Sequence, residues 1–342
     1  ILCEFIYLTI KILYDFRVAR HNQKIMMKRA PLELSRLSLG TAPLAGLFTP
    51  VKDEESDALI KTALSEGINY FDTAPLYGHG SAETRLGRIL KSVTEPFILE
   101  TKVGRVLKEV EKADPVPWFP DADPHIQPEF DYSREGILKS FEDSLERLGV
   151  SHIDIVLMHD CENHINEAIN NAFPVLHTLK SQGVIKAIGV GLNFPEVALR
   201  IMEEVDLDIA LIAGRYTLLD QSAQHELLSY AMERNVDITI GGVFNSGVLA
   251  NPVKGATFEY LPASDEIIEK AQKIGAFLKE RGIPLTAASL QFPLRHPAVT
   301  SVLTGARSSR ELLANIADFD REIPVEIWQE LEEAKLIERL EA

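Results

Sequence analysis

Little in this sequence supports a disulfide framework, a nucleic-acid partner or a membrane span. Cysteine occurs only twice in 342 residues, as Cys3 and Cys161. Two thiols cannot make a disulfide framework or a four-thiolate zinc site, and a reducing, cytoplasmic setting is the simpler expectation. Basic residues are short: 35 Lys and Arg stand against 51 Asp and Glu, a formal net charge of −16. Nucleic-acid affinity rests largely on basic contacts to phosphate, and an anionic membrane surface asks for the same charge, so neither is expected as a partner. Long apolar runs are missing too. The stretch 5–10 is apolar, but Lys11 breaks it, and it is too short to cross a bilayer.

That opening stretch differs from the rest. Residues 1–26 carry Lys11, Arg17, Arg20 and Lys24 against Glu4 and Asp15, and they show neither the leading positive charge nor the small-residue cleavage site of a signal peptide. They are read as a disordered extension with no part in the fold, leaving 27–342 as a single domain; an N-terminal anchor is the competing reading.

What is present is alternation. Eight short, near-continuously apolar runs, at 37–41, 69–72, 97–101, 153–159, 187–191, 209–213, 237–241 and 299–305, have the signature of strands buried on both faces. Amphipathic helical patterns separate them, over 53–66, 81–90, 133–148, 167–182, 221–234, 264–281 and 308–318, and a terminal helix is expected over 324–340. Such alternation implies right-handed crossovers and a parallel sheet. Eight units in this length fit a closed (β/α)8 TIM barrel with its active site at the C-terminal rim. An open doubly wound sheet would want a G-x-G-x-x-G turn early, and Thr41-Ala42-Pro43-Leu44-Ala45-Gly46 lacks it. Residues 103–132 hold Pro115, Pro117, Pro120, Pro124 and Pro128 with Trp118 and Phe119. A loop this long is often functional, and it is read as a substrate lid without secondary structure of its own, against the alternative of a disordered excursion.

Polar residues at the ends of successive strands define the candidate chemistry: Asp72 after the second, Tyr77 just beyond it, Lys102 after the third, His159 after the fourth. Free tyrosine is a poor acid or base at neutral pH. A neighbouring ammonium lowers its pKa, a carboxylate behind the lysine keeps that charge in place, and a histidine can orient a substrate oxygen. The set suits proton transfer in a carbonyl–alcohol pair, and the hydride must come from a cofactor. Singly, each residue has a plainer reading: Asp72 as a helix cap, Tyr77 as a rim aromatic, Lys102 as a buried ion pair or Schiff-base nucleophile, His159 as a core histidine. His159, Cys161 and His164 lie close in sequence, but no CxxC or HExxH frames them, and no metal is expected.

The run Asn69-Tyr70-Phe71-Asp72-Thr73-Ala74-Pro75-Leu76-Tyr77-Gly78, with Ser81-Ala82-Glu83 and Leu86-Gly87 behind it, resembles the aldo-keto reductase family, as do the steps from Asp72 to Tyr77 and to Lys102. The tracts 213–221, 241–247 and 290–294 are similar to its aldose 1-dehydrogenase branch, which includes L-fucose, L-galactose, D-arabinose and pyridoxal dehydrogenases. The resemblance implies an NAD(P)-dependent oxidoreductase in which Tyr77 is the proton donor or acceptor and His159 orients the substrate. It implies that Asn193 binds the nicotinamide amide and that Phe244, Asn245, Ser246 and Gly247 wrap the pyrophosphate with backbone N–H groups. Gly305, Ala306, Arg307 and Ser308 would hold the adenosine phosphate, and Asn315 would contact adenine. Phe48, Trp118 and Tyr216 would line the substrate pocket. Departures are present: Gly241-Gly242 stands where many members place a stacking aromatic, Ala213 where many have Gln, and Glu311 where NADP-preferring members often carry Arg. The last favours NAD over NADP, with Arg307 or Arg310 able to offset it. The expected partner is a small aldose or aldehyde, and the expected assembly a monomer or small homo-oligomer. The expected reaction is hydride transfer between nicotinamide and the anomeric carbon of an aldose, giving a lactone; the rivals are a pyridoxal 4-dehydrogenase or general aldehyde or ketone reductase, a Schiff-base aldolase using Lys102 and a nucleotide-binding regulatory subunit with little turnover.

Overall fold

The computed structural model describes residues 32–114, 116 and 118–340. The reading of 1–26 as an extension lies outside these residues. Eight parallel strands close into a barrel: Leu37–Gly40, Tyr70–Asp72, Ile98–Val103, Ile155–His159, Ala187–Leu192, Ile209–Ala213, Asp237–Gly241 and Val299–Gly305. The first pairs with both the second and the last, Gly40 lying beside Asp72 on one side and Gly305 on the other. Helices cover the outside, and the larger core cluster lies between them and the strands, with Phe71, Leu99, Val156 and Ile188 among its members.

Strand parity decides what enters the lumen. Tyr70, Ile98, Ile155, Leu157, Ala187, Ile209 and Leu211 pack together inside. Counting by twos from Tyr70, Ile98 and Ile155 brings Asp72, Glu100, Lys102 and His159 to the same interior, stacked toward the C-terminal ends. Register completes the convergence: Asp72 lies beside Glu100, and Lys102 beside Leu157. Space for the long lysine comes from Gly191, where a Cβ would stand 3.2 Å from Lys102 Cε.

Helix Ser81–Leu90 lies close against helix Arg134–Leu148. Its buried Glu83 accepts from Thr101 Oγ1 at 2.7 Å and pairs with Arg147 at 2.6 Å. At Gly87 a Cβ would fall 1.9 Å from the Leu148 carbonyl oxygen, so only glycine permits this approach. Gly87→Ala is expected to destabilise the protein by about 3 kcal/mol through overpacking against backbone, read as a lower urea midpoint.

The structure differs from the sequence reading at several places. The segment 103–132 is not structureless: Arg105–Glu109 pairs antiparallel with Ile126–Phe130, which gives the backbone of this long excursion hydrogen-bond partners. A second hairpin, Thr257–Phe258 with Leu261–Pro262, turns through Glu259 and Tyr260, both at positive φ; no Gly, Asn or Asp marks it, so turn chemistry did not point there. Two further helices, Pro195–Glu204 and Leu285–Gln291, fill the outer ring. The terminal helix runs only over Val325–Glu333. Among the described residues no helix is long and apolar enough to cross a membrane.

Candidate active site

Lys102 is fully buried at the rim of the lumen. Its ammonium pairs with Asp72, donates to the Thr73 carbonyl at 2.9 Å and lies 4.8 Å from the centre of the Tyr77 ring. Burial alone would lower its pKa, but Asp72, Tyr77 and Glu100 more than offset this, so it is held above the ordinary lysine range and stays charged. Glu100 is pushed well above the carboxylate range by burial and then by Asp72; Tyr70 Oη donates to it at 2.7 Å. Asp72 and Lys102 form the ion pair beneath Tyr77.

Tyr77 follows the second strand in a turn whose Gly78, His79 and Gly80 all have positive φ. A Cβ on Gly78 would meet Ser81 Oγ at 2.2 Å, so glycine is needed for the turn that presents the phenol. The Tyr77 ring stands edge-on to His159 at 6.0 Å and 6.1 Å from the buried Phe119. The simple expectation that Lys102 lowers the phenol's pKa needs correction: burial raises it, Lys102 opposes, and burial wins. His159 is held well below its ordinary pKa by burial and by the Arg105 and Lys102 cations, so the imidazole is neutral and can donate from one nitrogen only. The four side chains singled out from strand ends therefore share one rim.

The walls are aromatic. Phe48, at positive φ, donates its backbone N–H to the Trp118 carbonyl at 2.8 Å. Phe48 and Trp118 both stand 6.0 Å from the Tyr260 ring. Tyr260 is the wall residue that the sequence did not indicate. Tyr216 does not belong here: it is fully buried, 5.0 Å from Phe292 and edge-on to His296, because the chain after Ala213 turns at Gly214 (φ +74°) and folds this side chain back into the core.

Beside this pocket a cavity of about 180 Å³ is lined by Asn193, Ala213, Gly214, Arg215, Asn245, Ser246, Glu259 and Tyr260. Arg215 donates to the Asn193 carbonyl at 2.8 Å and pairs with Glu259 and Asp220. Asn245 donates to the Gly214 carbonyl at 3.1 Å, while its buried Oδ1 has no partner, an acceptor left for a donor group such as a carboxamide. Of the backbone N–H groups over 244–247 expected to wrap the pyrophosphate, two are engaged within the loop. Asn245 N–H is taken by the Gly242 carbonyl and Gly247 N–H by that of Phe244, in a tight turn. Asn245 and Ser246 line the cleft, Ser246 Oγ accepting from Tyr260 N–H at 3.0 Å, and Phe244 packs against the core.

Around the end of the last strand, Gly305 abuts Pro43, where a Cβ would come within 2.6 Å. Ala306 is buried, Arg307 exposed. Ser308 caps helix Ser309–Phe319 by accepting from Glu311 N–H at 3.3 Å. Glu311 accepts from the Arg307 backbone at 3.0 Å and pairs with its guanidinium at 3.1 Å. Asn315 donates to Thr304 Oγ1 at 3.2 Å.

A closed parallel barrel with a lysine-supported tyrosine and a neutral histidine at its C-terminal rim is the arrangement of a barrel oxidoreductase. Residues 36–335 match the model of the Aldo/keto reductase family. The chain is 39% identical to pyridoxal 4-dehydrogenase of Microbacterium luteolum, over 92% of this chain and 98% of that one. It is 38% identical to D-threo-aldose 1-dehydrogenase of a Pseudomonas species, over 90% and 96%. Among solved structures, an aldo-keto reductase from Bacillus halodurans superposes with a TM-score of 0.70 over 90% of this chain and 94% of that one, at 24% identity. This chain belongs to the aldo/keto reductase family, and is an NAD(P)-dependent oxidoreductase.

Proposed function

We propose that this enzyme oxidises the anomeric carbon of an aldose to a lactone, with Tyr77, Lys102, Asp72 and His159 as its catalytic residues. The observation that carries the reading is the Lys102 ammonium, fixed by Asp72 and the Thr73 carbonyl, beneath the Tyr77 ring. In the oxidative direction Tyr77 Oη takes the proton of the anomeric hydroxyl, and the Lys102 charge stabilises the phenolate that this requires. In the reverse direction the neutral phenol returns it. His159 donates one hydrogen bond to the reacting oxygen, and its depressed pKa makes it a poor competitor for the proton. Phe48, Trp118 and Tyr260 form an apolar face for the sugar ring and exclude water.

The bound dinucleotide supplies the hydride acceptor. Asn193, Asn245 and Ser246 would hold its nicotinamide half, with the orphaned Asn245 Oδ1 as acceptor. Gly305, Ala306, Arg307, Glu311 and Asn315 would hold its adenosine half at a helix N-terminus, a natural anion site. NAD is the preferred form in this reading, because Glu311 already engages the Arg307 cation that a 2′-phosphate would need. Pyridoxal is a second reading, favoured by the three aromatic walls and by the relative named for it. The setting proposed is cytoplasmic, consistent with the buried free thiol of Cys161.

Initial rates with a panel of free aldoses and pyridoxal, each with NAD+ and NADP+, test these choices. The expected result is lactone from an aldose, with kcat/KM about tenfold or more higher for NAD+, the cost of a repelled phosphate. Turnover of pyridoxal alone would replace the aldose reading.

A further inference from the structure

Directly after His159 stands a residue that the reaction described above does not use. Asp160 has φ +44°, a conformation costly for a side chain with a Cβ and one that persists only where its surroundings enforce it. The enforcement is visible. Tyr132 Oη lies 2.9 Å from the His159 carbonyl and 3.1 Å from that of Asp160. Arg105, at the foot of the excursion after the third barrel strand, donates to Asp160 Oδ2 at 2.8 Å. The guanidinium is itself seated over the Phe130 ring at 4.1 Å, and the Arg105 carbonyl accepts from Ser140 Oγ at 2.8 Å. Tyr132 therefore fixes the backbone here, and Arg105, itself held by Phe130 and Ser140, fixes the carboxylate.

The carboxylate lies beside the imidazole of the candidate site. Asp160 Oδ2 lies 3.6 Å from His159 Nε2, too far for a hydrogen bond, so the imidazole is not its partner. The carboxylate side chain keeps 26% of its surface open, while the neighbouring His159 is closed off. The Tyr260 hydroxyl, in the aromatic wall, feels its charge after the larger effect of burial. Burial raises the Asp160 pKa and the Arg105 cation opposes it; as a carboxylate the group only accepts, with about four lone-pair directions, of which Arg105 takes one. The remainder are free to pair with a group bound next to His159, 3.6 Å away.

We propose that Asp160, held by Arg105, is a specificity-determining residue that accepts a hydrogen bond from a hydroxyl on the carbon next to the one oxidised. The enzyme then selects hydroxylated sugars with a vicinal hydroxyl over aldehydes and hemiacetals that lack one. This rests on the aldose reading above and names which part of the sugar is recognised. A site built to pair a hydroxyl discriminates strongly against the analogue without it, because the polar group is left buried and unpaired.

The test compares an aldose that the enzyme oxidises with its 2-deoxy analogue, in the full chain and in Asp160→Asn. In the variant Arg105 takes the amide oxygen and a donor NH2 replaces the free acceptor. Wild type is expected to prefer the parent sugar by about 30-fold in kcat/KM, the ordinary weight of a hydrogen bond to a charged group. In Asp160→Asn this preference is expected to fall to about threefold or less, mainly through a higher KM for the parent. NAD+ binding followed by tryptophan fluorescence reports that the variant is folded. Equal wild-type rates on the two sugars, or an unchanged preference in the folded variant, overturn the assignment of Asp160 while leaving the aldose reading intact. A wild type that oxidises pyridoxal and no aldose overturns the aldose reading, and this assignment with it. The wild-type comparison needs no variant, so a poorly folding Asp160→Asn does not leave the question open.

Discussion

Tyr77→Phe is expected to lower kcat about 10³-fold, within the usual range for losing a general acid or base, while dinucleotide affinity stays within about twofold. The ring remains to pack against Phe119 and His159, so only the hydroxyl is lost. Burial holds the Tyr77 phenol above its ordinary pKa despite Lys102, so at neutral pH the unliganded enzyme carries it protonated. Oxidation uses the ionised form. Its kcat/KM should therefore climb with pH through the alkaline range, by about tenfold per unit until the raised pKa is reached. Aldehyde reduction uses the neutral form and should hold level over the same range, falling only above that pKa. Initial rates in both directions from neutral to alkaline pH check the sign; a wild-type oxidation rate indifferent to pH would count against Tyr77 as the base.

Lys102→Met should be as damaging to turnover, about 10³-fold, and unlike the tyrosine change it should also unfold more easily. Lys102 and Asp72 are both about 1% exposed. Removing one member of a buried pair typically costs about 3–5 kcal/mol, because the other charge is stranded. The double variant Asp72→Asn/Lys102→Met removes both charges, and most of the urea midpoint should return. Turnover should not return, since nothing then stabilises the phenolate. A double variant that regained activity along with stability would show that the lysine serves the fold alone.

Much of the barrel was legible because strands buried on both faces read as short, near-continuous apolar runs. The eight apolar runs lie within about two residues of the observed strands. The residues at their ends, Asp72, Lys102 and His159, reach one rim through simple alternation. What failed to show depended on distant contacts. Tyr216 reads like a pocket aromatic, but its place is decided by Gly214 and by Phe292, far along the chain. The loop 244–247 reads as a bed of amide donors, yet its turn consumes two of them. Tyr260 reaches Phe48 and Trp118 only because two non-glycine residues adopt positive φ, for which composition offers no sign. Asp160 stood in plain view beside His159, but its partner Arg105 lies 55 positions earlier. The net direction of the Tyr77 shift needed burial as well as charge, and sequence supplies only the second.

The polar layer at the mouth of the lumen has a consequence for anyone improving this enzyme. Asp72, Glu100 and Lys102 occupy volume that well-packed hydrocarbon side chains could fill, and exchanging a buried ionic group for such side chains is often neutral or favourable to folding. A library screened for heat resistance alone would therefore drift toward robust but inert variants at these three positions. Hardening this scaffold without an activity screen selects against its own chemistry.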